Sequence, residues 1–175
     1  AITEVKKETG KLKFGKTANN ILFFDATMRI GEASAAPLIK QVKSYYKGDS
    51  PVIIDSPPGT SCSMFESVKD SDYCILVTES SPFGLNDMKL AIRVLKDIHL
   101  PFGIVINKYD ENFFQLDEYI QDNKLKLLLR IPFSMEIAES YSKGELLSEK
   151  NKVYRQMMIS LFDKVKTEIL EAEYV

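Results

Sequence analysis

Four short apolar runs limit what this chain can fold into more than any other feature. They cover residues 52–55, 72–78, 102–107 and 125–131, and patterns of helical period lie around and between them at 37–46, 61–69, 85–98, 113–121 and 150–171. Continuous apolar runs that are rich in β-branched residues are typical of strands buried on both faces of a parallel sheet. Strands that alternate with helices form right-handed βαβ units. The sequence therefore predicts an α/β fold, with a mainly parallel sheet and helices on both of its faces.

The first thirty residues follow a different pattern. Short, partly alternating runs at 3–8, 11–17 and 21–29 are separated by Thr9-Gly10 and Asn19-Asn20. Turn pairs of this kind between alternating runs predict an antiparallel β-meander. We therefore expect residues 1–30 to form this meander and residues 31–175 to form the α/β part of a single globular domain.

Charge and cysteine content exclude several classes of protein. The formal net charge is −2, which gives no reason to expect nucleic acid as a partner. No apolar run approaches the roughly 20 residues of a transmembrane helix, and we find no signal peptide. Cys62 and Cys74 provide no disulfide framework, so a cytoplasmic location is expected.

The run at 52–55 leads into a candidate nucleotide site. Residues 52–60 read VIIDSPPGT, so Asp55 ends the expected strand and Pro57, Pro58 and Gly59 follow in a loop. In open α/β sheets, ligands bind beyond the carboxyl ends of the strands. A carboxylate there would hold Mg²⁺ or its water, and a glycine-containing loop can approach a γ-phosphate closely. The alternative is a buried strand that ends in an ordinary proline-rich turn.

Polar or turn-forming groups also follow the other three runs, at Thr78-Glu79, Asn107-Lys108 and Pro132. The carboxyl ends of parallel strands lie at one edge of a sheet, so these groups indicate a shared functional rim. The loop after Glu79 is either part of that rim or a tight turn that caps the next helix, with Ser81 or Asn86 as the N-cap.

One motif is misleading. Residues 10–17, GKLKFGKT, match the P-loop pattern G-x-x-x-x-G-K-[ST]. A working P-loop follows a buried strand and precedes a helix, whereas a charged alternating run comes before this one and another strand pattern follows it. The loop interior is also bulky where backbone N–H groups would have to wrap a phosphate. We therefore expect a β-hairpin on which Lys16 is solvated.

A second motif leaves the choice of base open. Residues 107–110 read NKYD and match the N-K-x-D pattern with which many GTPases recognise guanine. In that pattern the aspartate, here Asp110, accepts hydrogen bonds from the guanine N1–H and exocyclic amine, and adenine has no N1–H. The alternatives are that Asn107 contacts a base without help from Asp110, or that Asp110 only caps the next helix.

Three segments, VIIDSPPGTSC, SDYCILVTESSPFGLNDMKLAI and PFGIVINKYD, together resemble the MinD/ParA/Mrp family of deviant P-loop ATPases. They look most like its branch with an inserted ferredoxin domain that carries 4Fe–4S clusters. The resemblance runs from about residue 31 to residue 144 and implies ATP and Mg²⁺ as cofactors. By this resemblance, Asp55 would be the Mg²⁺-linked catalytic acid, and Pro57, Pro58 and Gly59 would sense the γ-phosphate.

The same resemblance assigns the base pocket and the parent protein. Asn107 would contact adenine, and Pro132 and Phe133 would line the pocket. The intact parent would bind and hydrolyse ATP as a homodimer and would act on a redox or iron–sulfur client.

The chain also departs from the family pattern. It contains neither the Lys-Gly-Gly-x-Gly-Lys-Thr type of P-loop nor the cysteine-rich insert. We expect this chain, which begins with Ala1 rather than Met, to be the C-terminal portion of such a protein, beginning after the insert. The 4Fe–4S clusters would then belong to the insert, and the chain alone would carry half a nucleotide site and no ATPase activity. Two other interpretations are a GTPase-type protein that uses residues 107–110 and a non-catalytic α/β interaction module.

Overall fold

The computed structural model of the protein describes residues 7–17, 19–46, 48 and 50–173. The chain divides into two compact units, Ala1–Lys69 and Asp70–Val175. The division expected at residue 30 stays a prediction. None of the described helices is long and apolar enough to cross a membrane.

The first unit is built on a β-hairpin and two helices. Strand β1 (Gly10–Lys16) pairs antiparallel with β2 (Leu22–Met28), followed by α1 (Ala36–Tyr45) and α2 (Cys62–Val68). The Phe14 ring lies opposite Phe24 in the hairpin and meets the Tyr45 ring of α1 edge-on at 4.7 Å. The hairpin prediction is therefore confirmed, and Lys16 is an exposed residue of β1. The run expected at 3–8 lies mostly outside the described residues.

The prediction of a strand at 52–55 is wrong. Residues 51–57 have no regular secondary structure, and Val52, Ile53 and Ile54 are 50%, 91% and 38% exposed. A strand needs a neighbour that satisfies its backbone N–H and C=O groups. No described residue pairs with this run, because the sheets contain only the hairpin and a separate set of three strands.

The second unit contains a three-stranded parallel sheet. Strands β3 (Cys74–Glu79), β4 (Phe102–Tyr109) and β5 (Leu127–Pro132) lie in the order β3-β4-β5. The helices are α3 (Pro82–Asp97), α4 (Gln115–Asp122), α5 (Met135–Ser142), α6 (Leu147–Lys150) and α7 (Lys152–Glu173). The predicted α/β fold is confirmed, as are three of the four expected parallel strands. The sequence interpretation missed α5 and α6.

Side chains of both sheet faces are buried at the central strand. On one face, Ile104 and Ile106 of β4 join a core cluster that also contains Met88 and Ile92 of α3 and Leu116 and Ile120 of α4. Val105 points to the opposite face, since side chains alternate along a strand, and it is 2% exposed. The Lys164 ammonium of α7 donates to the Leu128 carbonyl of β5 at 2.7 Å. Helices therefore flank the sheet and pack against its strands.

Candidate functional site

The carboxyl ends of the three parallel strands form one edge of the second unit. Glu79 is in register with Asn107, and Tyr109 is in register with Pro132. We call the last residues of these strands and those just after them, 78–84, 107–112 and 130–133, the carboxyl edge. It includes Asn107, which the family resemblance implies as an adenine contact, and Pro132 and Phe133, which the same resemblance implies as the lining of the base pocket.

The loop between β3 and α3 is tightly fixed. The Thr78 hydroxyl donates to the Gly84 carbonyl at 2.9 Å, and the Ser81 hydroxyl accepts from the Gly84 N–H at 3.0 Å. Ser81 is thus the N-cap of α3, one of the two caps that the sequence suggested. A Cβ atom at Gly84 would lie 2.4 Å from the Glu79 carbonyl oxygen. Only glycine allows the helix to begin this close to the strand end.

The end of β4 is connected to this loop by two polar contacts. The Lys108 ammonium lies 3.3 Å from a Glu79 carboxylate oxygen, and both side chains are largely exposed. The Asp110 N–H donates to the Ser80 hydroxyl at 3.1 Å. Asn107 turns its Oδ1 atom back to accept the Lys108 N–H at 3.0 Å. Within the described ranges its Nδ2 group makes no hydrogen bond, so it can donate to a ligand.

The Asp110 carboxylate is used inside its own loop. Its Oδ1 atom accepts from the Asn112 N–H at 3.0 Å and from the Asn112 Nδ2 at 2.7 Å. The Phe113 N–H donates to the Asp110 carbonyl at 3.1 Å. This turn comes shortly before α4, but the N-cap residue of that helix is Phe114 and no described side chain caps it. The interpretation of Asp110 as the cap of α4 is therefore wrong.

The end of β5 presents an apolar surface. Pro132 is exposed, and the Phe133 ring that follows it is 63% exposed. An exposed aromatic ring at the end of β5 can stack on a base, and the Asn107 amide near the end of β4 can donate to a base edge. The chemistry of this part of the edge therefore suits a planar heterocycle.

A cluster that the sequence did not predict lies next to these residues. The Tyr109 hydroxyl donates to Asp117 Oδ2 at 3.0 Å, and Arg130 Nε and Nη2 donate to Asp117 Oδ1 at 3.1 and 2.5 Å. The Arg130 guanidinium also lies over the Tyr109 ring, 5.2 Å from its centroid. The hydrogen bond to Asp117, together with partial desolvation, raises the pKa of Tyr109 above its ordinary value. No local sequence pattern predicts these contacts, because Tyr109, Asp117 and Arg130 lie on three different elements, β4, α4 and β5.

The phosphate-side residues expected from the sequence belong to the first unit. Asp55 is exposed, and Gly59 has φ +87°, a backbone conformation that residues with a Cβ rarely adopt. Among the described residues no group of three or more His, Cys, Asp or Glu side chains could hold a metal ion. One exposed carboxylate still suits Mg²⁺, which proteins often bind through one or two carboxylates together with substrate phosphates. Cys62 is exposed at the first residue of α2.

Two proteins of Methanocaldococcus jannaschii, both described as uncharacterized, are similar to most of the chain. One is 32% identical over 152 residues, covering 86% of this chain and 53% of that protein. The other is 25% identical over 165 residues, covering 93% and 56%. The chain therefore spans about half the length of these relatives. No protein-family model matches the chain.

A third relative carries a functional description. It is an uncharacterized ATP-binding protein of the same organism, 28% identical over 113 residues, and the match covers 61% of this chain and 45% of that protein. The chain is thus an α/β protein with partial similarity to a protein described as ATP-binding.

Proposed function

We propose that the carboxyl edge binds the base of a purine nucleotide, and that the chain is the C-terminal part of a MinD/ParA/Mrp-like ATPase. The observation that carries the proposal is the register of the strand ends. Asn107, with its donor amide, lies near the end of β4, and β5 ends at Pro132, opposite Tyr109 and directly before the exposed Phe133 ring. The similarity to an ATP-binding protein supports a nucleotide as the ligand.

Adenine is the base that we propose. The guanine-type interpretation needs the Asp110 carboxylate to accept hydrogen bonds from a base, whereas Asn112 already donates twice to one of its oxygens. Adenine requires no such acceptor. The Asn107 amide alone can donate to a ring nitrogen of adenine.

For Asp55 and the loop at 57–59 we propose a phosphate-binding role in the parent protein, where they would act together with a P-loop from another part of that protein. Asp55 would hold Mg²⁺, directly or through its water, and the Pro-Pro-Gly turn would sense the γ-phosphate. Phosphoryl transfer requires positioning and charge neutralisation more than covalent chemistry. We therefore propose that the intact parent hydrolyses ATP as a homodimer and couples this to an iron–sulfur or redox client, whereas this chain alone is inactive.

A titration of the 175-residue chain with adenosine tests the base assignment. We expect NMR shifts at residues 107–110 and 130–133, with a dissociation constant on the order of millimolar, because the phosphate contacts are left out. Guanosine should bind more weakly. Mg-ATP should gain little over adenosine, and Lys16→Ala should change nothing, since Lys16 lies on the hairpin.

Three results would contradict the proposal. Preference for guanosine that Asp110→Ala abolishes would promote the GTPase-type interpretation. Micromolar ATP binding that Lys16→Ala abolishes would mean that the hairpin motif works as a P-loop after all. The absence of any adenosine response at millimolar concentration would leave an interaction module as the better description.

The role of Asp55 requires the intact parent. Asp55→Asn should leave the fold unchanged, because the side chain is exposed, but should lower Mg²⁺-dependent ATP hydrolysis by orders of magnitude. Unchanged turnover would show that Asp55 has no catalytic role. A glycine-rich P-loop in the upstream gene sequence would support the assignment of the parent.

A further inference from the structure

Strand β4 contains one extra residue within the carboxyl edge. Ile106 is in register with Arg130, and Tyr109 is in register with Pro132, so β4 advances three residues, from 106 to 109, while β5 advances two, from 130 to 132. This is the geometry of a β-bulge, which is uncommon between parallel strands and is often found next to active sites. Residues 107 and 108, between these two positions, are the bulge.

The bulge determines where the Asn107 amide points. Lys108 has φ +50°, a left-handed conformation that costs free energy in a residue with a Cβ and persists only when the surroundings hold it. The Lys108 N–H donates to Asn107 Oδ1. This contact fixes the amide group, so that its Nδ2 end remains as the donor for a ligand.

The Tyr109–Asp117–Arg130 cluster connects both sides of the bulge. Arg130 is the register partner of the last residue before the bulge, and Tyr109 is the first residue after it. Asp117, in the first turn of α4, accepts hydrogen bonds from both. Two guanidinium nitrogens of Arg130 donate to the same oxygen, Asp117 Oδ1, and Tyr109 donates to the other, so both carboxylate oxygens are held by charge-assisted hydrogen bonds. Loss of the cluster would therefore release the bulge.

We propose that Tyr109, Asp117 and Arg130 are positioning residues for base binding: they hold the bulge so that the Asn107 amide faces the bound base. This inference rests on the proposed function of the carboxyl edge. The competing explanation is that the cluster only fastens α4 to the sheet. The two explanations differ in where the protein loosens when the cluster is broken.

The experiment compares the 175-residue chain with Arg130→Gln, Tyr109→Phe and a matched control, Lys126→Gln. Tyr109→Phe keeps the ring and removes only the hydrogen bond to Asp117, so it keeps the test valid if Arg130→Gln folds poorly. Lys126 forms an ion pair with Glu168 near the opposite end of β5. Lys126→Gln therefore removes an ion pair of the second unit, as Arg130→Gln does, but at a place distant from the bulge along β5.

Two measurements are made on each variant. In the absence of ligand, Arg130→Gln should speed exchange of the Lys108 amide proton with water by about tenfold, while exchange within α4 changes by less than about twofold. In adenosine titrations, Arg130→Gln should raise the dissociation constant by about three- to tenfold, and Tyr109→Phe by less. Lys126→Gln should match the wild type in both measurements.

Each other outcome overturns one specific claim. If exchange rises equally throughout α4, or if Lys108 does not respond, the cluster does not position the bulge. If the wild type binds adenosine and Arg130→Gln binds it equally well, the inference fails while the proposed function stands. If the wild type does not bind adenosine, the proposed function fails, and the inference fails with it.

Discussion

Gly103 should be among the least replaceable residues of the second unit. Gly103 is the second residue of the central strand β4, and a Cβ atom added to it would lie 2.5 Å from the Tyr73 hydroxyl and 2.7 Å from both Cγ and Cδ1 of Leu128. Leu128 is 1% exposed, so it has little room to move. Gly103→Ala should therefore overpack this face of the sheet, at a cost of about 1–3 kcal/mol.

A smaller effect opposes this cost. Replacing glycine by alanine reduces the conformational freedom of the unfolded chain and stabilises the folded state by about 0.4–1 kcal/mol. The net expectation is a loss of about 1–2 kcal/mol, which lowers the melting temperature by roughly 5–15 °C for a unit of this size. Gly15→Ala is the matched control, because no atom lies within 4 Å of a Cβ added there. It should be neutral or slightly stabilising.

The Tyr73 hydroxyl offers a second, independent check. It is buried and has no hydrogen-bond partner among the described residues. Tyr73→Phe should therefore be neutral or stabilise the unit by about 1 kcal/mol. In the Tyr73→Phe background, Gly103→Ala should cost less than in the wild type, since the nearest of the three clashing atoms is gone.

The assay is urea unfolding followed by circular dichroism, since the chain has no tryptophan. Amide exchange at Ile104, which is fully buried, reports the second unit separately. A Gly103→Ala variant that unfolds at or above the wild-type midpoint would refute the packing argument. Equal costs of Gly103→Ala with and without the Tyr73 hydroxyl would show that this hydroxyl is not part of the constraint.

Two further predictions concern the first unit and the response to alkaline pH. The Lys43 ammonium donates to three carbonyls at the end of α2, those of Glu66 at 3.1 Å, Ser67 at 3.2 Å and Lys69. Lys43→Met should therefore lower the free energy of unfolding by about 1–3 kcal/mol. A loss no larger than that of Lys40→Met, at an exposed residue of the same helix, would contradict this prediction. Burial raises the pKa of Cys74 to about 11, and burial followed by repulsion from Glu168 raises the pKa of Tyr73 to about 12. Both folded-state pKa values lie above the unfolded values, so the folded state favours the protonated forms of these two groups. Their contribution to the free energy of unfolding is therefore fully present below about pH 9 and is lost as the pH rises towards 11 and 12. The urea midpoint should fall over that range and fall less in Cys74→Ala, and a pH-independent midpoint would be the contrary result.

Much of the fold follows from patterns a few residues long. The pattern of apolar residues predicted β3, β4, β5 and the longer helices. A strand that is buried on both faces needs a continuous apolar run, and a helix that buries one face needs apolar residues every three to four positions. Ser81 was one of two caps that the sequence suggested for α3, since a cap acts over one turn, but the helix begins at Pro82, three residues before the predicted start at residue 85. The context of residues 10–17 likewise predicted a hairpin in place of a P-loop.

Tertiary structure decided the features that depend on distant neighbours. The apolar run at 52–54 has the composition of a buried strand, yet no described residue pairs with it, because strand formation requires a partner that a short sequence window cannot specify. The bulge at residues 107–108 is equally invisible in the sequence, since it is a mismatch in register between two strands. The contacts of Asp117 with Tyr109 and Arg130 join residues that are 8 and 13 positions away along the chain. The sequence thus determined three of the four expected groups at the carboxyl edge, whereas folding determined that Asp55 belongs to the other unit and how the remaining groups are held.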